Sequence, residues 1–205
     1  MIALERDEGI WTATIDRADK AGALTEEMLT RLAEIAEAAG GGDGARLLIL
    51  TGVGKVFSAG ADLGAMQGGL ATSPVWERLS SAITALPCLS IAALNGTVAG
   101  GAIGMVLACD FRVAVPTAQI FYPVMQRGFL PQPSDPARLA ALVGPARARR
   151  VLLAGERVDA QSALDWGLYD RIAAPEDLTG AAMDLADHAL GASPAHVAAI
   201  KRLIP

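Results

Sequence analysis

The sequence predicts an α/β fold assembled from repeated strand, turn and helix units, and three observations carry that expectation. Two short, nearly unbroken apolar runs, residues 47–50 and 89–94, lack polar alternation and so suit strands covered on both faces. Each ends in turn residues, Thr51-Gly52 and Asn95-Gly96. Between them, Val75, Trp76, Leu79, Ile83 and Leu86 recur at helical spacing along one face. Strands alternating with such helices form parallel sheets with right-handed crossovers.

The elements follow in order. Residues 10–15 alternate Trp11, Ala13 and Ile15 with Thr12 and Thr14, the period of a half-buried strand, and this strand is expected to open the fold. Thr25 suits a helix N-cap, with Glu26 and Glu27 in the first turn. Met28, Leu29, Leu32, Ile35, Ala36 and Ala39 then keep one apolar face until Gly40-Gly41-Gly42 stops it. A glycine-rich turn spans 58–63, and a third strand, 111–115, ends at Pro116. Beyond Pro136 the pattern is helical, over 137–143, over 146–153, and from a cap at Asp159 to a stop at Gly167. Ser193 and Pro194 begin a last helix that reaches only to Lys201–Pro205. There is no internal repeat, linker or low-complexity segment, so one domain is expected over 1–205, with its core in about 1–135 and a helical part in about 136–205.

Composition narrows the function. With 52% hydrophobic and 19% charged residues among 205, the chain can bury a substantial core. The most apolar region, 90–115, is interrupted by Asn95, four glycines, Asp110 and Arg112, so no membrane span is expected. Cys88 and Cys109 sit in apolar surroundings and no leader pattern is visible, which makes a reducing cytoplasm the expected compartment. A net charge of −5 with scattered arginines argues against nucleic acid. An anionic ligand remains compatible, because local cations such as Arg17 and Lys20, rather than net charge, bind phosphates. His188 and His196 lie late in the chain, and without metal-ligand spacing no metal is expected.

Two glycine-containing turns carry the chemistry. Phe57-Ser58-Ala59-Gly60-Ala61-Asp62-Leu63 and Asn95-Gly96-Thr97-Val98-Ala99-Gly100-Gly101-Ala102 each follow an apolar strand. Small residues there let an acyl oxygen approach main-chain N–H groups, the arrangement that stabilises an enolate or oxyanion. Asp62 follows the first turn, where its side chain can bond backbone amides.

The ordered series FSAGADL, PCLSIAALNGTVAGGAIGMVLACD, the AQI strand and residues 155–172 resembles the crotonase superfamily, the enoyl-CoA hydratase/isomerase family, over nearly the whole chain. The resemblance implies crotonase-like (ClpP/crotonase) ββα units with C-terminal helices, the last of them truncated, and assembly as a homotrimer or dimer of trimers. It implies an acyl-CoA thioester as ligand, with coenzyme A as part of the substrate and no separate cofactor. Carried over by position, the Ala61 and Gly101 amides form the oxyanion hole, and Ala59, Gly100, Leu63, Met66 and Val124 join Ala61, Asp62 and Gly101 in contacting substrate. The loop Lys20, Ala21, Gly22, Ala23 and Leu24 resembles the one that grips the nucleotide, although Gly22 stands where asparagine is common.

The resemblance also implies two hydratase glutamates, and those positions fall on Gly104 and Val124. A third acid position falls on Gln132. None of the three can transfer a proton near neutral pH. Asp135, in the loop before Pro136, is a candidate relocated base, against the simpler reading that Ser134 or Asp135 is an N-cap for the next helix. Tyr122 and Gln126 lie within possible reach of the pocket, Tyr122 more simply as packing. Two readings therefore stand, an isomerase-like enzyme acting through an enolate and a catalytically degenerate CoA-binding subunit. Serine peptidase chemistry is disfavoured by the lack of a GxSxG elbow.

Overall fold

In the computed structural model, which describes residues 1–42 and 44–204, ten strands fall into two sheets. They are β1 (Ile2–Asp7), β2 (Ile10–Ile15), β3 (Leu47–Gly52), β4 (Val56–Ser58), β5 (Leu89–Leu94), β6 (Thr97–Ala99), β7 (Phe111–Ala114), β8 (Gln119–Phe121), β9 (Val158–Asp159) and β10 (Arg171–Ile172). The larger sheet has the order β1-β2-β3-β5-β7-β10 and the smaller the order β4-β6-β8-β9. From β2 onward the larger sheet is parallel, and β1 joins it through an antiparallel hairpin. Pro205, the end of the expected last helix, lies outside the described residues.

Successive units repeat one plan. Each of β3, β5 and β7 enters the large sheet, and the strand after it, β4, β6 or β8, enters the small one. Helices then return the chain: α1 (Glu26–Ala39), α2 (Leu63–Gln67), α3 (Val75–Thr84), α4 (Ile103–Ala108), α5 (Val124–Arg127) and α6 (Asp135–Val143). They are followed by α7 (Pro145–Leu152), α8 (Ala160–Asp165), α9 (Leu178–Gly191) and α10 (Pro194–Leu203). Helix α1 packs on α3, α3 on α4 and α4 on α6, while α9 packs on β5 and β7. Strand β5 is buried at all six positions, as expected for a strand covered on both faces.

The fold opens one strand earlier than its periodicity indicates. β1 carries Glu5, Arg6 and Asp7 exposed on a sheet edge, where charge is tolerated and apolar alternation is not needed. The expected caps form at Thr25, Asp159 and Ser193, whose side chains accept from Met28, Ser162 and His196 N–H. No such cap forms at α6. That helix begins at Asp135, and the side chains of Ser134 and Asp135 turn elsewhere.

Two cationic ties hold the periphery. Arg112 is buried and donates to the Leu168 and Cys109 carbonyls at 2.8 and 2.7 Å while pairing with Asp170 at 3.2 Å, which fastens β7 to the segment entering β10. On α10, Lys201 donates to the Cys88 carbonyl at 2.7 Å and to Asp110 at 2.6 Å. Asp110 in turn accepts the Ser90 N–H and hydroxyl, so the last helix is anchored at the start of β5.

Gly22 explains itself in this packing. Its φ is +66°, and an added Cβ would lie 2.4 Å from the Phe57 carbonyl oxygen. Gly22→Ala is expected to lower the unfolding free energy by about 1–3 kcal/mol, read as a lower urea midpoint at unchanged slope. An unshifted midpoint would show that the loop yields without cost.

Candidate active site

The site is built where the two glycine turns meet. Leu24 N–H donates to the Gly60 carbonyl and Asp62 N–H donates to the Leu24 carbonyl, both at 2.8 Å, so Leu24 and Ala61 form one parallel rung. In such a rung the N–H of the residue opposite, here Ala61, is turned away from its neighbour strand. Gly60 lies against the second turn: a Cβ there would fall 2.8 Å from the Ala99 carbonyl oxygen and 3.4 Å from Gly100 Cα. Both Gly60 and Gly100 have positive φ, +91° and +60°. Gly101 follows in a 3-10 turn, Gly100–Ala102, that runs into α4, and its N–H belongs to the first turn, which lacks an intrahelical acceptor.

Ala61 and Gly101 both line a cavity of about 120 Å³. Trp76 forms part of its wall, with the indole 3.2 Å from where a Gly101 Cβ would lie and Nε1–H bonded to the Leu70 carbonyl at 2.8 Å. Ala59, Gly100, Met66, Tyr122, Val124 and Gln132 also line it, and Leu63, Phe129 and Leu130, all exposed, sit at the same cavity. Among the described lining residues there is no carboxylate, and Tyr122 and Arg127 are the titratable ones.

The carboxylate lies one shell behind. Asp135 is 1% exposed, and its Oδ2 accepts the Tyr122 hydroxyl proton at 2.9 Å. Its Oδ1 has no hydrogen-bond partner and stands 2.7 Å from the point a Gly104 Cβ would occupy. The missing side chain at 104 is thus the space into which Asp135 fits. Burial pushes the Asp135 carboxyl up to about 6, against the Tyr122 hydrogen bond and the Arg138 charge, with Glu77 adding to the rise. Glu77 itself accepts from the Ser134 N–H and hydroxyl. Burial, with the Asp135 charge beside it, likewise pushes the Tyr122 phenol well above its ordinary range.

Other expected residues take varied places. Leu24 is fully buried and both its backbone groups are used in the rung, so it supports the turn rather than presenting a side chain to ligand. Asp62 caps α2 through the Gly64 and Ala65 N–H groups and pairs with Arg17 at 2.9 Å. The Ala65 bond, with Arg17, holds its carboxyl below the usual range. Arg17 also donates to the Ala23 carbonyl, so of the two cations expected for phosphate only Lys20 is left on the exposed loop surface. Ala21 adopts a left-handed conformation and Gly22 is buried against Phe57. His188 and His196 are exposed on α9 and α10. Among the described residues, no group of three or more His, Cys, Asp or Glu could hold a metal, and no helix is long and apolar enough to cross a membrane. Gln132, expected at a third acid position, does line the cavity, whereas reading the sequence missed Trp76 as a wall. Nothing in helical periodicity separates a tryptophan facing a core from one facing a cavity.

The enoyl-CoA hydratase/isomerase family model matches residues 5–204. A probable enoyl-CoA hydratase, echA6, of Mycobacterium leprae is 33% identical over 183 residues, 86% of this chain and 73% of that protein. The crotonyl-CoA hydratase of Syntrophomonas wolfei is 32% identical over 86% of this chain and 70% of its own length. Among solved structures, an enoyl-CoA hydratase from Bacillus anthracis superposes with a TM-score of 0.91 at 28% identity, covering 99% of this chain and 81% of that one. DspI of Pseudomonas aeruginosa gives 0.90 at 33%, covering 99% and 79%.

Asp135 also makes a stability prediction. Its folded-state value near 6 lies above the roughly 3.9 of an unfolded aspartate, so the fold disfavours the ionised form. Stability should therefore fall as pH rises from about 4 to about 6 and stay reduced above that, by up to about 3 kcal/mol. Asp135→Asn, which keeps an acceptor for Tyr122, is expected to raise the thermal midpoint at pH 7 and to change it little at pH 4. Equal shifts at both pH values would contradict the assignment.

Proposed function

The chain belongs to the enoyl-CoA hydratase/isomerase family, and from that premise we propose that it binds an acyl-CoA thioester and isomerises it through an enolate rather than hydrating it. The thioester carbonyl lies against the Ala61 and Gly101 amides. As a proton leaves the α-carbon, charge moves onto that oxygen, and each fixed donor contributes about 10² to 10³ in rate. The observation that carries the choice of reaction is the carboxylate of Asp135 packed against Gly104 beside the cavity. A carboxyl near 6 is ionised at neutral pH and is a better base than an ordinary aspartate, which suits reversible proton transfer.

Hydration would need a further group to hold and deprotonate water. Gly104 and Val124 supply none, and Gln132 can orient but not titrate. A volume of about 120 Å³ favours a short acyl head, with Leu63, Phe129 and Leu130 offering apolar surface at the same cavity. The pantetheine and nucleotide would follow the loop 20–24, where Lys20 is exposed.

Calorimetric titration with coenzyme A, acetyl-CoA and crotonyl-CoA tests binding, and the conversion of 3-butenoyl-CoA to crotonyl-CoA tests chemistry. Binding with isomerisation, little hydration of crotonyl-CoA, and a loss of about 10² to 10⁴ in kcat for Asp135→Asn at retained affinity is the expected outcome. Binding without turnover would establish the degenerate subunit instead, and failure to bind any thioester would remove the whole reading.

A further inference from the structure

We propose that Tyr122 is the residue that takes the proton from the substrate, passing its own phenolic proton to Asp135 in the same step. This rests on the enolate reading above and adds a second catalytic group to it. The argument is one of access. Asp135 is 1% exposed and is not part of the cavity wall, whereas Tyr122 is part of it and its hydroxyl lies 2.9 Å from Asp135 Oδ2. The Gln132 N–H, from another lining residue, donates to the same phenolic oxygen at 3.2 Å. That bond and the Asp135 bond together hold the hydroxyl with its proton directed at the carboxylate and its oxygen free to accept once more.

The step balances without any further reactant. The α C–H bond breaks and a new O–H bond forms on Tyr122 while the old one breaks and its proton joins Asp135. The electron pair of the C–H bond moves into the enolate held by Ala61 and Gly101. Asp135 loses its negative charge as the enolate gains one, so the buried charge is transferred rather than created. Tyr122 then gives that proton to the γ-carbon as Asp135 returns its own to the phenolic oxygen, which completes the isomerisation and restores both groups. The charged groups facing Asp135 are Glu77 on α3 and Arg138 on α6, and α4, which brings Gly104 against it, carries no titratable residue. Burial and the adjacent carboxylate keep the phenol from ionising on its own, so it acts only in concert with Asp135.

The test follows the departure of deuterium from C2 of labelled 3-butenoyl-CoA, whether to solvent or to C4, by deuterium NMR. In the unsubstituted protein, the loss should be slower in heavy water than in light water, because the phenolic proton moves in the same step. It should also rise with pH through about 6 as Asp135 ionises. Tyr122→Phe and Asp135→Asn should each slow it by about 10² to 10⁴, with crotonyl-CoA affinity kept. If Tyr122 only positions the carboxylate, Tyr122→Phe will keep deuterium loss within about tenfold with an acid limb of its own, and the relay is overturned while the enolate reading stands. The absence of a solvent isotope effect overturns the relay in the same way, and this measurement needs no variant to fold. If the unsubstituted protein binds 3-butenoyl-CoA without losing deuterium, the enolate reading fails and the relay with it.

Discussion

The main-chain contact between the turns at Gly60 and at Ala99–Gly100 is the constraint on which the rest depends. Two strands of the small sheet can bring Ala61 and Gly101 to one cavity only if their loops approach to within the space a single methyl group would fill. Positive φ at both glycines turns the chain out of the strands at that point, and the Leu24 rung fixes the rotation of the first turn. The large sheet and its helices are the frame for this contact. Arg112 and Lys201 tie the later segments back to β7 and to the start of β5, which carry the second turn and the chain leading to Tyr122.

Behind the backbone donors the polar design is sparse. One carboxylate, one phenol, one amide and a flanking pair of charges occupy a region otherwise made of apolar side chains. An unpartnered Oδ1 on a buried aspartate is expensive for a fold, and such costs gather where a group must remain reactive. Arg138 Nη1, Asn95 Oδ1 and Tyr169 Oη are also buried without a partner, so this cost is shared between the cavity and the rest of the fold.

Much of this was legible in the residue pattern. Helical spacing and caps located α1, α3, α8 and α10, and unbroken apolar runs located β3 and β5. The turns at 58–63 and 95–102 were visible because glycine is hard to place otherwise after a strand. The two-sheet arrangement was not visible from periodicity, since β4, β6 and β8 are three residues each and give no period to read. β1 was hidden by its charged edge. Asp135 stood out as a polar residue between prolines, but its direction was not readable. A cap and a buried partner use the same residue types, and the choice was made by Tyr122 on one side and an empty Cβ position on the other.

That empty position has an evolutionary consequence. Residues 104 and 135 compete for one volume: a Cβ at 104 would stand 2.7 Å from Asp135 Oδ1, so a side chain there obliges the carboxylate to turn. The value of a substitution at either position therefore depends on which residue already stands at the other. Relatives that have exchanged acids should differ at the two positions together, and ancestral states carrying only one of the changes should be rare.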